Sequence, residues 1–239
     1  MKILITGVSR GLGFKIAETC LKKNWEVFGI SRTQNDKIKN LISAYGNKFQ
    51  WLEVDLSSPG SVKQSIYDNI LKVESVDGFV NNAAKAYDDL ITNVNHEKLA
   101  MMYQINVLSP ILLTKLVIRN MLLNRKKGSI VHISSVSAHT GYKGLAMYAS
   151  TKGALEAFSK NTAREWGSIG IRSNCIVAGF METSMSGNLS KEQKVRIYRR
   201  TSKKEAVSIS SVAQSTCFLL SEKSNSITGQ NLFVDNGTI

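Results

Sequence analysis

Residues 2–13 read KILITGVSRGLG, and no other feature restricts the fold as much. The apolar run at 2–6 fits a short buried strand. It ends in Gly7, Gly11 and Gly13, after which Ile16, Ala17, Cys20 and Leu21 recur at helical spacing. In a strand–turn–helix unit such glycines permit a tight turn and a close approach of backbone to ligand. A pyrophosphate then sits at the helix N-terminus, where free N–H groups and the helix dipole favour an anion. Candidate contacts to a dinucleotide are Gly7, Ser9, Arg10, Gly11, Leu12 and Gly13.

The unit is followed by an alternation of strand-like and helix-like stretches. Residues 25–30, 49–54, 76–80, 129–133, 171–177 and 227–235 read as strands. Val62, Ile66, Ile70 and Val73 mark one face of an intervening helix, and residues 96–123 read as one long helical segment. This α/β order runs the length of the chain without an internal repeat or linker. Pro59 and Pro110 are the two prolines, so nothing resembles a rigid spacer, and one domain over 1–239 is expected.

The second strand ends at Arg32. A fold of this kind that prefers NAD carries an acid near this point, which binds the ribose hydroxyls and repels a 2′-phosphate. Arg32, with Arg10 from the glycine turn, suits a phosphate and favours NADP(H). Asp55, followed by Leu56, ends the third strand, where a carboxylate accepts from an adenine amino group or caps a turn before Pro59. Asn82 and Ala83, in the run NNAA at 81–84, are small enough for the backbone to close over a ribose.

The chemistry concentrates at 132–152, HISSVSAHTGYKGLAMYASTK. Tyr148 and Lys152 stand four apart, so on a helix the phenol and the ammonium share a face. Ser135 lies thirteen residues earlier, at the end of the strand-like run. Together the three polarise and protonate a carbonyl; alone they are a strand-end serine and an ordinary helix pair. Asn106 precedes Pro110 by four residues. Proline has no N–H, so the Asn106 carbonyl loses its intrahelical donor and is free to hold a water, or the segment is simply kinked. Residues 184–205 are polar and basic and read as a mobile lid. His139, in the loop 136–143, either meets substrate or is an ordinary loop histidine.

Lys and Arg outnumber Asp and Glu by 31 to 18, a net charge of +13. That suits a phosphorylated cofactor, an acidic carrier protein or a nucleic acid. No zinc spacing or aromatic RNA-binding motif supports the last. The excess gathers at 191–204, with seven basic residues and one acid, and at 125–127. Cys20, Cys175 and Cys217 have apolar neighbours and no CxxC spacing, which fits buried thiols and argues against a metal site. No apolar run reaches the roughly 20 residues of a membrane span, and the start of the chain lacks a signal-peptide core. A cytoplasmic location is expected.

TGVSRGLG at 6–13, Asp55, NNAA at 81–84, Asn106, ISS at 133–135, YASTK at 148–152 and GFMET at 179–183 keep a characteristic order and spacing. Through them nearly the whole chain resembles the short-chain dehydrogenase/reductase family. ITGQNLFVD at 227–235 and GFMETSM at 179–185 bring it nearest to the 3-oxoacyl-[acyl-carrier-protein] reductases, enzymes of fatty acid biosynthesis. The resemblance implies a Rossmann-type doubly wound parallel sheet of about seven strands, assembled as a homotetramer or homodimer. It implies that Tyr148 is the general acid and that Lys152 lowers the phenol's pKa and holds the nicotinamide ribose. It assigns Ser135 to the substrate oxygen, and Asn106 to a relay water. Thr183 would bind the cofactor's carboxamide or phosphate, and Gly179 and Met181 are further cofactor contacts.

The chain departs from the pattern at Ala178, where the family has Pro, at Ala84, where it has Gly, and at Ile169, where carrier-protein reductases often have a basic residue. The expected activity is NADPH-dependent reduction of a 3-oxoacyl thioester. The alternatives are a reductase of a sugar, sugar nucleotide or other small carbonyl compound, and a cofactor-sensing protein without turnover.

Overall fold

The computed structural model describes residues 1–187 and 189–239; Asn188, within the segment expected to form a lid, lies outside the described residues, as do the side chains of Ser61 and Met185. In chain order the elements are β1 (Lys2–Thr6), α1 (Gly11–Lys22), β2 (Glu26–Ser31), α2 (Asp36–Tyr45), β3 (Phe49–Glu53), α3 (Pro59–Ile66) and β4 (Gly78–Asn81). Then come α4 (His96–Tyr103), α5 (Ser109–Leu123), β5 (Gly128–Ser135), α6 (Ala146–Trp166), β6 (Ile171–Ala178), α7 (Lys191–Tyr198), α8 (Ile209–Leu220) and β7 (Asn231–Val234).

Among the described residues seven strands form one parallel sheet in the order β3-β2-β1-β4-β5-β6-β7. Parallel strands need crossovers, and the helices that supply them cover both faces. Neighbouring residues of β1 therefore enter different cores. Ile3 and Ile5 pack with Ile16, Val131, Val212 and Leu219 on the α1/α8 side. Leu4 packs with Phe28, Phe79, Ile130, Leu113 and Val117 on the α3/α5 side. Strand order reverses between β1 and β4, and the crevice at their C-terminal ends is where a ligand enters such a sheet.

Three sequence expectations change. Residues 96–123 remain helical throughout, but a π-helical turn at Gln104–Leu108 separates α4 from α5. Pro110 withholds an N–H, and the extra residue of the π turn absorbs the break in register. This helical stretch is apolar and long enough to cross a membrane. Yet 61% of its most apolar window is buried inside the protein, which makes it a core helix. Val73 does not share the face of Val62, Ile66 and Ile70. A second π turn, Tyr67–Leu71, ends α3, and Val73 beyond it is 72% exposed. In the segment expected to be a lid, Ser202 N donates to Gly237 O (3.0 Å) and Lys203 N to Asn236 O (3.3 Å). Thr201 is buried. The C-terminal tail thus pins residues from 201 onward, and the remaining candidate lid is 184–200.

Candidate active site

The glycine turn has the shape the sequence implied. Gly7 and Gly11 have φ of +75° and +57°, values that glycine adopts without strain. A Cβ on Gly13 would stand 2.2 Å from Gly7 O, so only glycine fits there. Thr6 Oγ1 accepts from Asn82 N and Ala83 N (2.9 Å each), and Asn82 Nδ2 donates to Thr6 O (2.9 Å). The Asn82 side chain thus braces the turn, while Ala83 Cα would stand 3.0 Å from a Cβ built on Gly7. Thr183 faces the same turn, 3.8 Å from a Cβ built on Gly11. Gly179 is needed for packing, since a Cβ there would meet Asp235 at 2.7 Å; Met181 is half-buried beside the core.

Ser9, Arg10, Arg32, Thr33 and Asn35 line an open cleft of about 340 Å³. Asn35 closes one wall, donating to Ser9 O (2.8 Å) while capping α2 through Ile38 N. Asp55 serves its turn: Oδ1 accepts from Ser57 N (2.9 Å). That bond first, and the Arg32 charge to a smaller extent, hold the carboxyl below its ordinary range. Leu56 offers its carbonyl to Ser109 Oγ (2.6 Å). A cradle that admits no Cβ, a helix N-terminus and two guanidiniums beside an open cleft fit a dinucleotide with an extra phosphate.

Ser135 ends β5, and Tyr148 and Lys152 lie in the first two turns of α6. Lys152 Nζ donates to Ile133 O (2.8 Å) and lies 5.6 Å from the centre of the Tyr148 ring. Burial pushes the ammonium down to about 8, opposed by Cys175 and Glu156. Tyr148 differs from the expectation: its phenol is pushed up, by burial first and by the Asp88 carboxylate second.

Ser135 Oγ accepts from Ser137 N (3.2 Å) and from Ser137 Oγ (3.0 Å). Both its lone pairs are engaged, so its own proton is free to be donated. Asn106 is 1% exposed. Its side chain bridges the loop after β4, through Lys85 N and O (2.8 and 2.9 Å), to Thr151 Oγ1 on α6 (3.1 Å). Thr151 in turn donates to Tyr148 O (2.7 Å). His139 is exposed at the surface, and its Nε2 lies 2.8 Å from Glu156 Oε2.

A family profile described as enoyl-(acyl carrier protein) reductase matches residues 7–238. The 3-oxoacyl-[acyl-carrier-protein] reductase FabG of Salmonella typhimurium is 34% identical over 235 residues, which cover 98% of this chain and 95% of that protein. This chain belongs to the short-chain dehydrogenase/reductase family. Two solved structures give the same fold. ElxO with NADP bound is 28% identical with a TM-score of 0.90, covering 99% of this chain and 98% of its own. 4-Hydroxyisoleucine dehydrogenase complexed with NADH has a TM-score of 0.93 at 23% identity, with 99% and 98% covered. This short-chain dehydrogenase/reductase is thus an oxidoreductase that uses a nicotinamide dinucleotide.

Sequence reasoning overlooked Ser137, Thr151, Glu156 and Asp88. Thr151 and Glu156 had a signal: one flanks Lys152 inside YASTK, and the other follows it by four residues on the same helix face. Asp88 and Ser137 gave none, since their relation to Tyr148 and Ser135 depends on loop geometry.

Proposed function

We propose that this enzyme uses NADPH to reduce the ketone of a 3-oxoacyl thioester to a secondary alcohol. The observation that carries the reading is a site built to donate. Ser135, with its lone pairs filled by Ser137, offers its proton to the substrate oxygen. Tyr148, held protonated by its surroundings, offers a second. Two donors aimed at one oxygen stabilise the charge that grows there during reduction. The cofactor, when bound, supplies the hydride. Tyr148 passes its proton to the oxygen as general acid. Lys152, as an ammonium, offsets the negative charge left on the phenol and holds the cofactor ribose. Asn106 keeps the loop after β4 in register with α6, and its carbonyl, without a donor from Pro110, anchors a water that returns protons.

The thioester reading is supported by the 34% identity to a 3-oxoacyl-[acyl-carrier-protein] reductase over nearly the whole chain. An acidic acyl carrier protein suits the basic lid, where Arg196 and Arg199 have no acidic partner among the described residues. Exposed Met101, Leu108, Ile111 and Leu122 along α4 and α5, with Phe218 and Phe233 elsewhere, fit a homo-oligomer, a dimer or tetramer. Buried free Cys20, Cys175 and Cys217 fit the reducing cytoplasm.

The test is a panel of 3-oxoacyl thioesters, sugars and polyols with NADPH and with NADH, followed by nicotinamide absorbance. Turnover of a 3-oxoacyl thioester with NADPH is expected. Turnover confined to a sugar or polyol would replace the substrate assignment.

A further inference from the structure

Glu156 has no part in the mechanism above. It follows Lys152 by one helical turn, so Tyr148, Lys152 and Glu156 line one face of α6. The residue is 7% exposed, and a buried carboxylate is costly unless its oxygens are hydrogen-bonded. Three donors from three parts of the chain meet it. Ser134 Oγ of β5 donates to Oε1, while His139 Nε2 (2.8 Å) and Asn231 Nδ2 of β7 (2.6 Å) donate to Oε2. The His139 ring is also held edge-on against Phe233, with centroids 4.9 Å apart.

The contacts fall at a critical place. Ile133 O takes Lys152 and Ser134 Oγ takes Glu156, so consecutive residues of β5 are tied to successive turns of α6, immediately before Ser135. When Lys152 turns toward a ribose, the tie at Ser134 remains to hold the strand end. We propose that Glu156 is a positioning residue of this active site: it sets the spacing between Ser135 and the Tyr148–Lys152 face, and its charge keeps Lys152 an ammonium. The proposal rests on reading Tyr148 and Lys152 as the catalytic pair.

Charged and titratable groups surround Lys152 from three elements and a loop. On α6 they are Tyr148 and Glu156, the latter joined to His139. From β5 comes His132, pushed down to about 3 by burial and then by Lys152, and therefore neutral. From β6 comes Cys175, pushed up to about 12 by burial first, and therefore an uncharged thiol at working pH. Asp88 acts from the loop after β4, on the Tyr148 side. Among the acids acting on Lys152 itself, Glu156 is the one whose oxygens are met by three donors, an arrangement that favours a carboxylate.

Glu156→Gln keeps the size and removes the charge. With the ammonium less supported, the alkaline limb of kcat/KM for carbonyl reduction should move to lower pH by about half a unit or more. NMR titration of Lys152 at Cε, a readout independent of turnover, should move the same way. Amide exchange across 133–139 should quicken. Ser134→Ala cuts the strand tie and leaves the charge, so kcat should fall severalfold with the limb in place. A folded Glu156→Gln protein with an unmoved limb and an unmoved Lys152 titration would overturn the charge role. If that variant does not fold, wild-type kcat in Ser134→Ala overturns the positioning role. Tyr148→Phe, measured in parallel, separates this proposal from the reading beneath it: near-normal turnover there removes the catalytic pair itself.

Discussion

Arg32 follows β2 at the mouth of the cleft it shares with Arg10, where a charge-assisted contact to a 2′-phosphate would set its contribution. NADPH should bind at least tenfold more tightly than NADH, about 1.4 kcal/mol. Arg32→Asp should reverse the order, as measured by fluorescence titration of both cofactors. Equal affinity in the unaltered protein would remove the argument. Lys152 sets a pH dependence with a definite sign. Burial lowers its pKa to about 8, so the ammonium is present below that pH and lost above it. Because kcat/KM reports the free enzyme, reduction should decline as pH rises through about 8. A profile flat to pH 10 would contradict the assignment. Tyr148, Lys152 and Ser135 were legible in the sequence because helix periodicity and a strand end place them without knowledge of the fold. Glu156 carried a signal too, four residues after Lys152 on one helix face, whereas Ser137 and Asp88 carried none, since folding alone brings them near Ser135 and Tyr148.

At the scale of elements, the π turn between α4 and α5 carries the Asn106 side chain inward, where it pairs the backbone of Lys85 and reaches Thr151. Asn106→Ala leaves those groups unpaired. Unfolding stability should fall by about 2 kcal/mol, or Tm by roughly 4–8 °C, together with turnover. An unchanged Tm in Asn106→Ala would contradict the bridging role of the side chain. The sequence indicated the missing Pro110 donor but not the π turn, because hydrophobic spacing at 96–123 fits an α-helix as well. Val73 was misplaced for a related reason: the π turn at 67–71 ends the pattern that Val62, Ile66 and Ile70 begin. Glycine positions were more legible. Gly13 abuts Gly7 O so closely that its identity follows from the turn itself.

At the scale of the whole molecule, the sheet was legible because its five inner strands are buried on both faces and read as near-continuous apolar runs. Its charge distribution was less so. Lys126 is paired with Asp77 at 2.7 Å, and Lys127 lies along Gly170, at the edge where β4, β5 and β6 begin. Ser135 stands at the opposite edge, so these lysines do not guide a carrier into this chain's own site. The basic residues of α7 and the turn after it remain, with Arg200 4.9 Å from the Tyr142 ring of the loop 136–143. If a carrier protein delivers the substrate, kcat/KM for the carrier-bound form should fall steeply with salt, because screening shortens to about 8 Å at physiological ionic strength. Charge reversal at Arg196 and Arg199 should reproduce the high-salt rate, whereas the same acyl group on a small neutral thiol should be insensitive. Equal salt dependence of the two substrates would argue against the carrier.

The claim on which the account depends is that one phenol delivers the proton. Tyr148→Phe removes that hydroxyl and leaves Lys152 and the cofactor cleft in place. The deciding measurement pairs the initial rate of NADPH oxidation by a 3-oxoacyl thioester with the NADPH dissociation constant, in the unaltered protein and in Tyr148→Phe. The rate in Tyr148→Phe should be lower by a factor on the order of 10² or more, with NADPH bound as tightly as before. A Tyr148→Phe enzyme that turns over near the normal rate would contradict the claim.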